Sequence, residues 1–138
     1  ALLTATGVLL GGCASAGDDA AAAQRAMDEA VPPGEPQSCI NTRNVRNVDI
    51  LNDSTLLFRM RNGDVWRNRL PNRCPGLRSG DTLMYEVRSG QLCNLDTVTV
   101  IDDVGFGFMP GATCGLGKFD YLTQEQANTL KQMAKQRR

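Results

Sequence analysis

Five cysteines and a row of arginines carry most of the reactive potential of this 138-residue chain. A thiol can attack a substrate, ligate a metal, accept a lipid or pair into a disulfide. The chain has no histidine, so the commonest general base and a common metal ligand are both missing. Cys39, Cys74, Cys93 and Cys114 are widely spaced and form no Cys-x-x-Cys pair. A zinc site is therefore not expected, no other metal or cofactor is called for, and a catalytic thiolate would lack its usual base. Oxidation remains: an even set of four cysteines would imply two disulfides if the domain is exported. Three pairings are open. The local choice joins Cys74 to Cys93 and leaves Cys39 with Cys114, tying the first strand to the Gly-rich segment before the last helix. Cys13 stands apart from the four.

The arginines are Arg59, Arg61, Arg67 and Arg69, with Arg73 and Arg78 close behind. Planar guanidinium groups in a row suit an anionic glycan, a lipid headgroup or a phosphate. Exposed charge is also the ordinary state of arginine. The row therefore reads first as a solvated outer face partly paired with Asp49, Asp53, Asp64 and Glu86, and second as a ligand face. Nucleic acid is not expected, because base stacking needs aromatics among the cations and here they fall on the opposite face.

Other chemistry is thin. The segment DDVGFGFMPG, residues 102–111, reads as a loop with an aromatic or two tucked into the end of the fold, and it lacks the oxygen-ligand spacing of a calcium loop. There is no Gly-x-Ser-x-Gly and no phosphate-binding glycine loop. Asp96 and Asp102 are formally a carboxylate pair, but nothing singles them out. The chain is not expected to be an enzyme.

The amino end supplies an address. Residues 1–12, ALLTATGVLLGG, are uncharged and apolar to small. They are too few to span a bilayer as a helix and fit the apolar region of an export signal. The chain opens on Ala with no basic residues ahead of this run, so the signal is read as truncated. Leu10-Gly11-Gly12-Cys13 resembles the lipobox of bacterial lipoproteins. That resemblance implies cleavage before Cys13 and acylation of its thiol, with the membrane as a partner through the lipid. The same resemblance implies, from Ala14 rather than Asp after the cysteine, the periplasmic face of the outer membrane.

The elements that must position these residues follow from patterning. Residues 13–37 carry Cys13 and a flexible acidic tether, in which Asp19 to Ala30 could form a short helix capped by Asp18 or Asp19 and stopped at Pro32. From residue 38 the pattern is mainly β: a small antiparallel barrel or sandwich of five to six strands with a C-terminal helix, spanning 38–138. Candidate strands are Asn44–Leu51, Thr55–Arg61, Asp64–Leu70, Thr82–Arg88, Gln91–Leu95 and Thr97–Ile101. A three-residue loop Arg61-Asn62-Gly63 pairs Phe58 with Trp66 and Leu56 with Asn68. Leu56, Phe58, Met60, Trp66 and Leu70 then share one face; Arg59, Arg67 and Arg69 share the other, together with Leu57 and Val65. A second loop, Arg88-Ser89-Gly90, is expected to pair Tyr85 with Cys93 and Leu83 with Leu95. Thr123-Gln124-Glu125-Gln126 is a capping-box pattern, followed by an apolar stripe of Ala127, Leu130 and Met133 or Ala134.

Formal net charge is zero, which argues against bulk polyanion binding. The sign alternates along the chain: residues 14–38 are acidic, while residues 39–90 hold nine Arg against five acids.

The order Ser38-Cys39-Ile40, Arg61-Asn62-Gly63, Arg73-Cys74-Pro75-Gly76-Leu77, Leu92-Cys93 and Cys114-Gly115-Leu116-Gly117-Lys118-Phe119 resembles a family of small bacterial lipoproteins catalogued as a domain of unknown function. The resemblance covers about residues 38–122. It implies an exported, cysteine-containing β domain and brings no catalytic residues. The expected role is a lipid-anchored binding or scaffolding module whose partner is an envelope protein or glycan; the alternative is a module for anionic glycan or peptidoglycan.

Overall fold

The structure, a computed structural model, describes residues 11–12, 16–103 and 107–136. Cys13, residues 1–10 of the apolar run and residues 104–106 of the glycine loop lie outside the described residues.

The chain runs α1 (Ala16–Ala30), β1 (Pro36–Gln37), β2 (Cys39–Asn41), β3 (Val45–Asn52), β4 (Thr55–Met60), β5 (Val65–Arg69), β6 (Thr82–Tyr85), β7 (Gln91–Cys93), β8 (Thr97–Asp103), β9 (Phe108–Gly115), β10 (Phe119–Leu122) and α2 (Gln124–Gln136). The strands form three antiparallel sheets, in the orders β1-β10-β5-β4-β3, β2-β7 and β6-β8-β9. The mainly β class with a C-terminal helix holds. The sheets do not close into a barrel, and the described residues form ten strands rather than five or six.

The β4–β5 hairpin is built as the sequence predicts. Phe58 pairs with Trp66 and Leu56 with Asn68. Gly63 sits at φ +95°, and its N–H donates to the Met60 carbonyl at 3.1 Å. Glycine reaches this left-handed conformation without steric cost.

Both faces of the five-stranded sheet are covered, and side-chain alternation sorts residues between them. One face gives Ile50, Leu56, Phe58 and Phe119 to a core closed by Ile40 and Leu92 of the two-stranded sheet and Val98 and Val100 of the three-stranded sheet. Phe58 and Phe119 meet edge to face, ring centroids 5.4 Å apart. The other face gives Leu51, Leu57, Val65 and Leu122 to a second core with Met27 and Val31 from α1 and its exit, and Ala127, Leu130 and Ala134 from α2. The α2 capping box forms: Thr123 Oγ1 accepts from the Gln126 N–H at 3.2 Å, and the Gln126 side chain accepts from the Thr123 N–H at 3.0 Å.

Three expectations are corrected. The helix expected over Asp19 to Ala30 forms, as Ala16–Ala30, but it is docked rather than part of a flexible tether: Met27 is 1% exposed and Val31 2%. A helix of this length is marginal alone and gains its stability from packing. Second, the hairpin joining Tyr85 to Cys93 does not form. Ser89 and Gly90 do make the turn, at φ 56° and 74°. However, β7 pairs with β2, and β6 pairs with β8 through Leu83↔Val100 and Tyr85↔Val98; Leu95, expected opposite Leu83, is 90% exposed. Third, the bridges are Cys39–Cys93 and Cys74–Cys114. Cys39 stands directly opposite Cys93 in the β2–β7 register, and Cys74 and Cys114 both pack in or against the first core. The intervening strand β2 gives Cys93 a partner that a local pairing overlooks.

Candidate functional site

The arginine row lies on the helix-facing side of the sheet. Alternation along β4 and β5 puts Thr55, Leu57 and Arg59 beside Val65, Arg67 and Arg69. With Leu57 and Val65 in the same plane, that side needed a cover, and α1 and α2 supply it. The reading of the row as a solvated outer face or open ligand face is therefore corrected for Arg67, which is buried, while Arg59 and Arg69 are half-buried and Arg61 is exposed.

Arg67 is fully buried. Its guanidinium donates to Asp120 on neighbouring β10, from Nη2 to Oδ2 at 2.9 Å and from Nε at 3.1 Å, and from Nη1 to the Val31 carbonyl at 2.8 Å. That carbonyl closes the exit of α1, where backbone dipoles favour a cation. Asp120 also accepts from the Gly34 N–H at 3.3 Å. Arg59 reaches Asp49 at 2.6 Å and Asn128 of α2 at 3.3 Å. Arg69 pairs with Asp28 of α1 at 3.2 Å. Arg61 alone stays exposed, on a small cleft at the hairpin end that Arg46 and Gln124 also line. Of the expected carboxylate partners, Asp49 and Asp53 are used, Asp53 by Arg73 at 2.6 Å. Asp64 instead accepts from Asn62 within the turn.

A cavity of about 500 Å³ opens beside this cluster, between the first turns of α1 and the ends of β4 and β5. Gly17, Ala20, Ala21 and Gln24 form its helix wall; Leu70, Pro71, Arg73 and Lys118 form the opposite one. Small side chains on α1 keep it open. Two ion pairs, Asp28–Arg69 and Asp53–Arg73, hold charges of both signs at its edge. Such a cavity can receive a polar or amphiphilic group through fixed charges and a short apolar floor.

The structure does not bring Asp96 and Asp102 together. Asp96 accepts from the Cys93 N–H at 2.7 Å and shapes a turn, while Asp102 lies at the far end of β8, about 20 Å away at ordinary strand rise. Among the described residues no three Cys, Asp or Glu side chains converge as a metal would require. Of the segment at 102–111, the described part is the outer end of a β8–β9 hairpin with Met109 exposed.

Sequence reasoning missed Asp120, Gln24 and Lys118. The signal for the first two was the apolar pair Leu57 and Val65 among the arginines, which marks a face with a cover. A covered arginine needs a carboxylate, and Asp120 is the one that β10 brings opposite Arg67.

No curated protein and no solved structure matches the chain. A family of unknown function, DUF6491, matches over residues 1–138, and the chain belongs to that family.

Proposed function

We propose that this protein is exported and held at the cell envelope by lipid on Cys13, on the periplasmic face of the outer membrane, where it binds or scaffolds rather than catalyses. The observation that carries the reading is the use of the cysteines. Cys39, Cys93, Cys74 and Cys114 are consumed pairwise in two disulfides, which suit an oxidising compartment. Cys13 is left over, directly after an apolar run and two glycines. A lipid-modified thiol explains both its position and its lack of a partner cysteine. More than one acyl chain would anchor far more firmly than a single one. The partner under this reading is an envelope protein or a glycan, with no nucleic acid.

The test expresses the chain in a bacterium behind a completed signal, labels it with an alkyne fatty acid and fractionates the cells. The wild type is expected to carry label and sediment with membranes. Cys13→Ala is expected to lose both. Membrane retention of a processed Cys13→Ala protein overturns the reading.

A further inference from the structure

We infer that the rim formed by Gly17, Ala20, Ala21, Pro71, Arg73 and Lys118 is the face this domain turns to the membrane surface. The inference rests on the reading of Cys13 as the lipid-bearing residue. Only residues 14 and 15 separate Cys13 from the first residue of α1, so chain reach holds the anchor within about 11 Å of the helix start. A free coil over residues 14–38 would allow a root-mean-square reach of about 25–30 Å. The docked helix removes that slack.

Helix α1 is held through its C-terminal half, and its first turns continue from that half as one helix. Met27 is buried, Gln24 accepts from Thr55 Oγ1 at 2.9 Å, and Asp28 pairs with Arg69 at 3.2 Å. Its first turns form one wall of the 500 Å³ cavity, and Pro71, Arg73 and Lys118 stand on the other. Whatever surface receives the lipid on Cys13 is thus brought up to those residues. The three-stranded sheet, with exposed Met109 on β9, packs on the face of the central sheet opposite α1, so this inference turns Met109 away from the membrane.

Charge does not orient the domain. Arg69 and Arg73 are already paired with Asp28 and Asp53, and Asp18 and Asp19 in the first turn of α1 oppose Lys118. A polybasic patch would bind more tightly as the anionic lipid fraction rises. Here a short leash sets the orientation, which should be insensitive to that fraction and to salt.

The test uses the chain from Cys13 to Arg138, which keeps both cores, since their residues lie between Met27 and Ala134. With the two disulfides formed, Cys13 is coupled to maleimide-headgroup lipid in phosphatidylcholine vesicles. Hydrogen exchange is compared with the same protein coupled to a soluble maleimide. Amides at residues 70, 72, 73 and 117–119 are expected to slow several-fold on vesicles, and those at 109 and 111–113 to stay unchanged. As a second readout, a single Trp is placed by Pro71→Trp, Lys118→Trp or Met109→Trp in a Trp66→Phe background. Headgroup-nitroxide lipid is expected to quench the first two much more than the third, equally with and without anionic lipid. Equal protection and quenching on both faces, or a stronger effect at residue 109, overturns the inference. Because the lipid is attached chemically, that outcome leaves the acylation reading to be decided by the fractionation experiment.

Discussion

Arg67 and Asp120 stand opposite one another on adjacent antiparallel strands, with guanidinium and carboxylate 2.9 Å apart in the helix-covered core. The pair ties three elements together, because the same guanidinium also holds the Val31 carbonyl at the exit of α1. Removing one partner strands the other charge away from water. Asp120→Ala is therefore expected to cost about 3–5 kcal/mol in urea unfolding. The double change Arg67→Met with Asp120→Leu should recover most of that loss. A single-mutant cost below about 1 kcal/mol, as for an exposed pair, would contradict the buried geometry.

The remaining arginines should behave differently. Arg59 and Arg69 are partly exposed and engaged with Asp49 and Asp28, and Arg61 is exposed. Each changed to Gln is expected to shift stability by about 1 kcal/mol or less. Binding of the protein to an anionic glycan, measured by calorimetry, is expected to be weak and unaltered by these changes. A clear loss of affinity in Arg59→Gln or Arg69→Gln would restore the ligand-face reading.

The covered sheet shows what the sequence could disclose. The β4–β5 register and the α2 cap were legible because each depends on residues close in the chain: Gly63 at the turn, and Thr123 with Gln126 at the helix start. The fate of the arginine face was not, because it depends on Met27 and Val31 arriving from upstream and Asp120 from downstream. β9 was hidden for a local reason. Its residues, FMPGATCG, look like a loop, but Pro110 and the glycines are tolerated because the strand lies at the edge of its sheet. Missing β2 misassigned both disulfides at once, since each bridge follows from which strands are neighbours.

The bridges can be checked directly. Non-reducing peptide mapping is expected to recover Cys39 with Cys93 and Cys74 with Cys114. Replacing both members of either pair by Ala is expected to lower stability by about 2–5 kcal/mol. Recovery of a peptide linking Cys74 to Cys93 would overturn the strand order around β7.

Gly117 has a different constraint. A Cβ there would collide with the Arg69 carbonyl oxygen, a backbone atom with little room to move. The same residue is clamped by Asn68, whose amide donates to the Gly117 carbonyl and accepts from its N–H, both at 2.8 Å. Gly117→Ala is expected to cost about 1–3 kcal/mol or more through forced overpacking. Gly115→Ala, with nothing within 4 Å, should stay within about 1 kcal/mol. Thermal denaturation of the two variants side by side checks the contrast.

The docking of α1 yields the most direct test of how the domain is carried. Its buried face rests on Met27, which meets the second core beside Leu51, Leu57 and Val65. A carboxylate at that position would be buried without a partner, which is costly enough to favour release of the helix. Once released, a helix of this length is marginal in water and should melt. Arg25, exposed near the middle of α1, then becomes a good trypsin site, because a protease needs locally unfolded chain. Met27→Asp is therefore expected to be cut after Arg25 much faster than wild type, with the disulfide-linked β sheets surviving longer. Ala22→Asp, on the exposed side of the same helix, should leave the cleavage rate near that of wild type. Equal cleavage in wild type and Met27→Asp would mean that α1 is already loose in solution, and the orientation proposed from a lipid on Cys13 would lose its short leash.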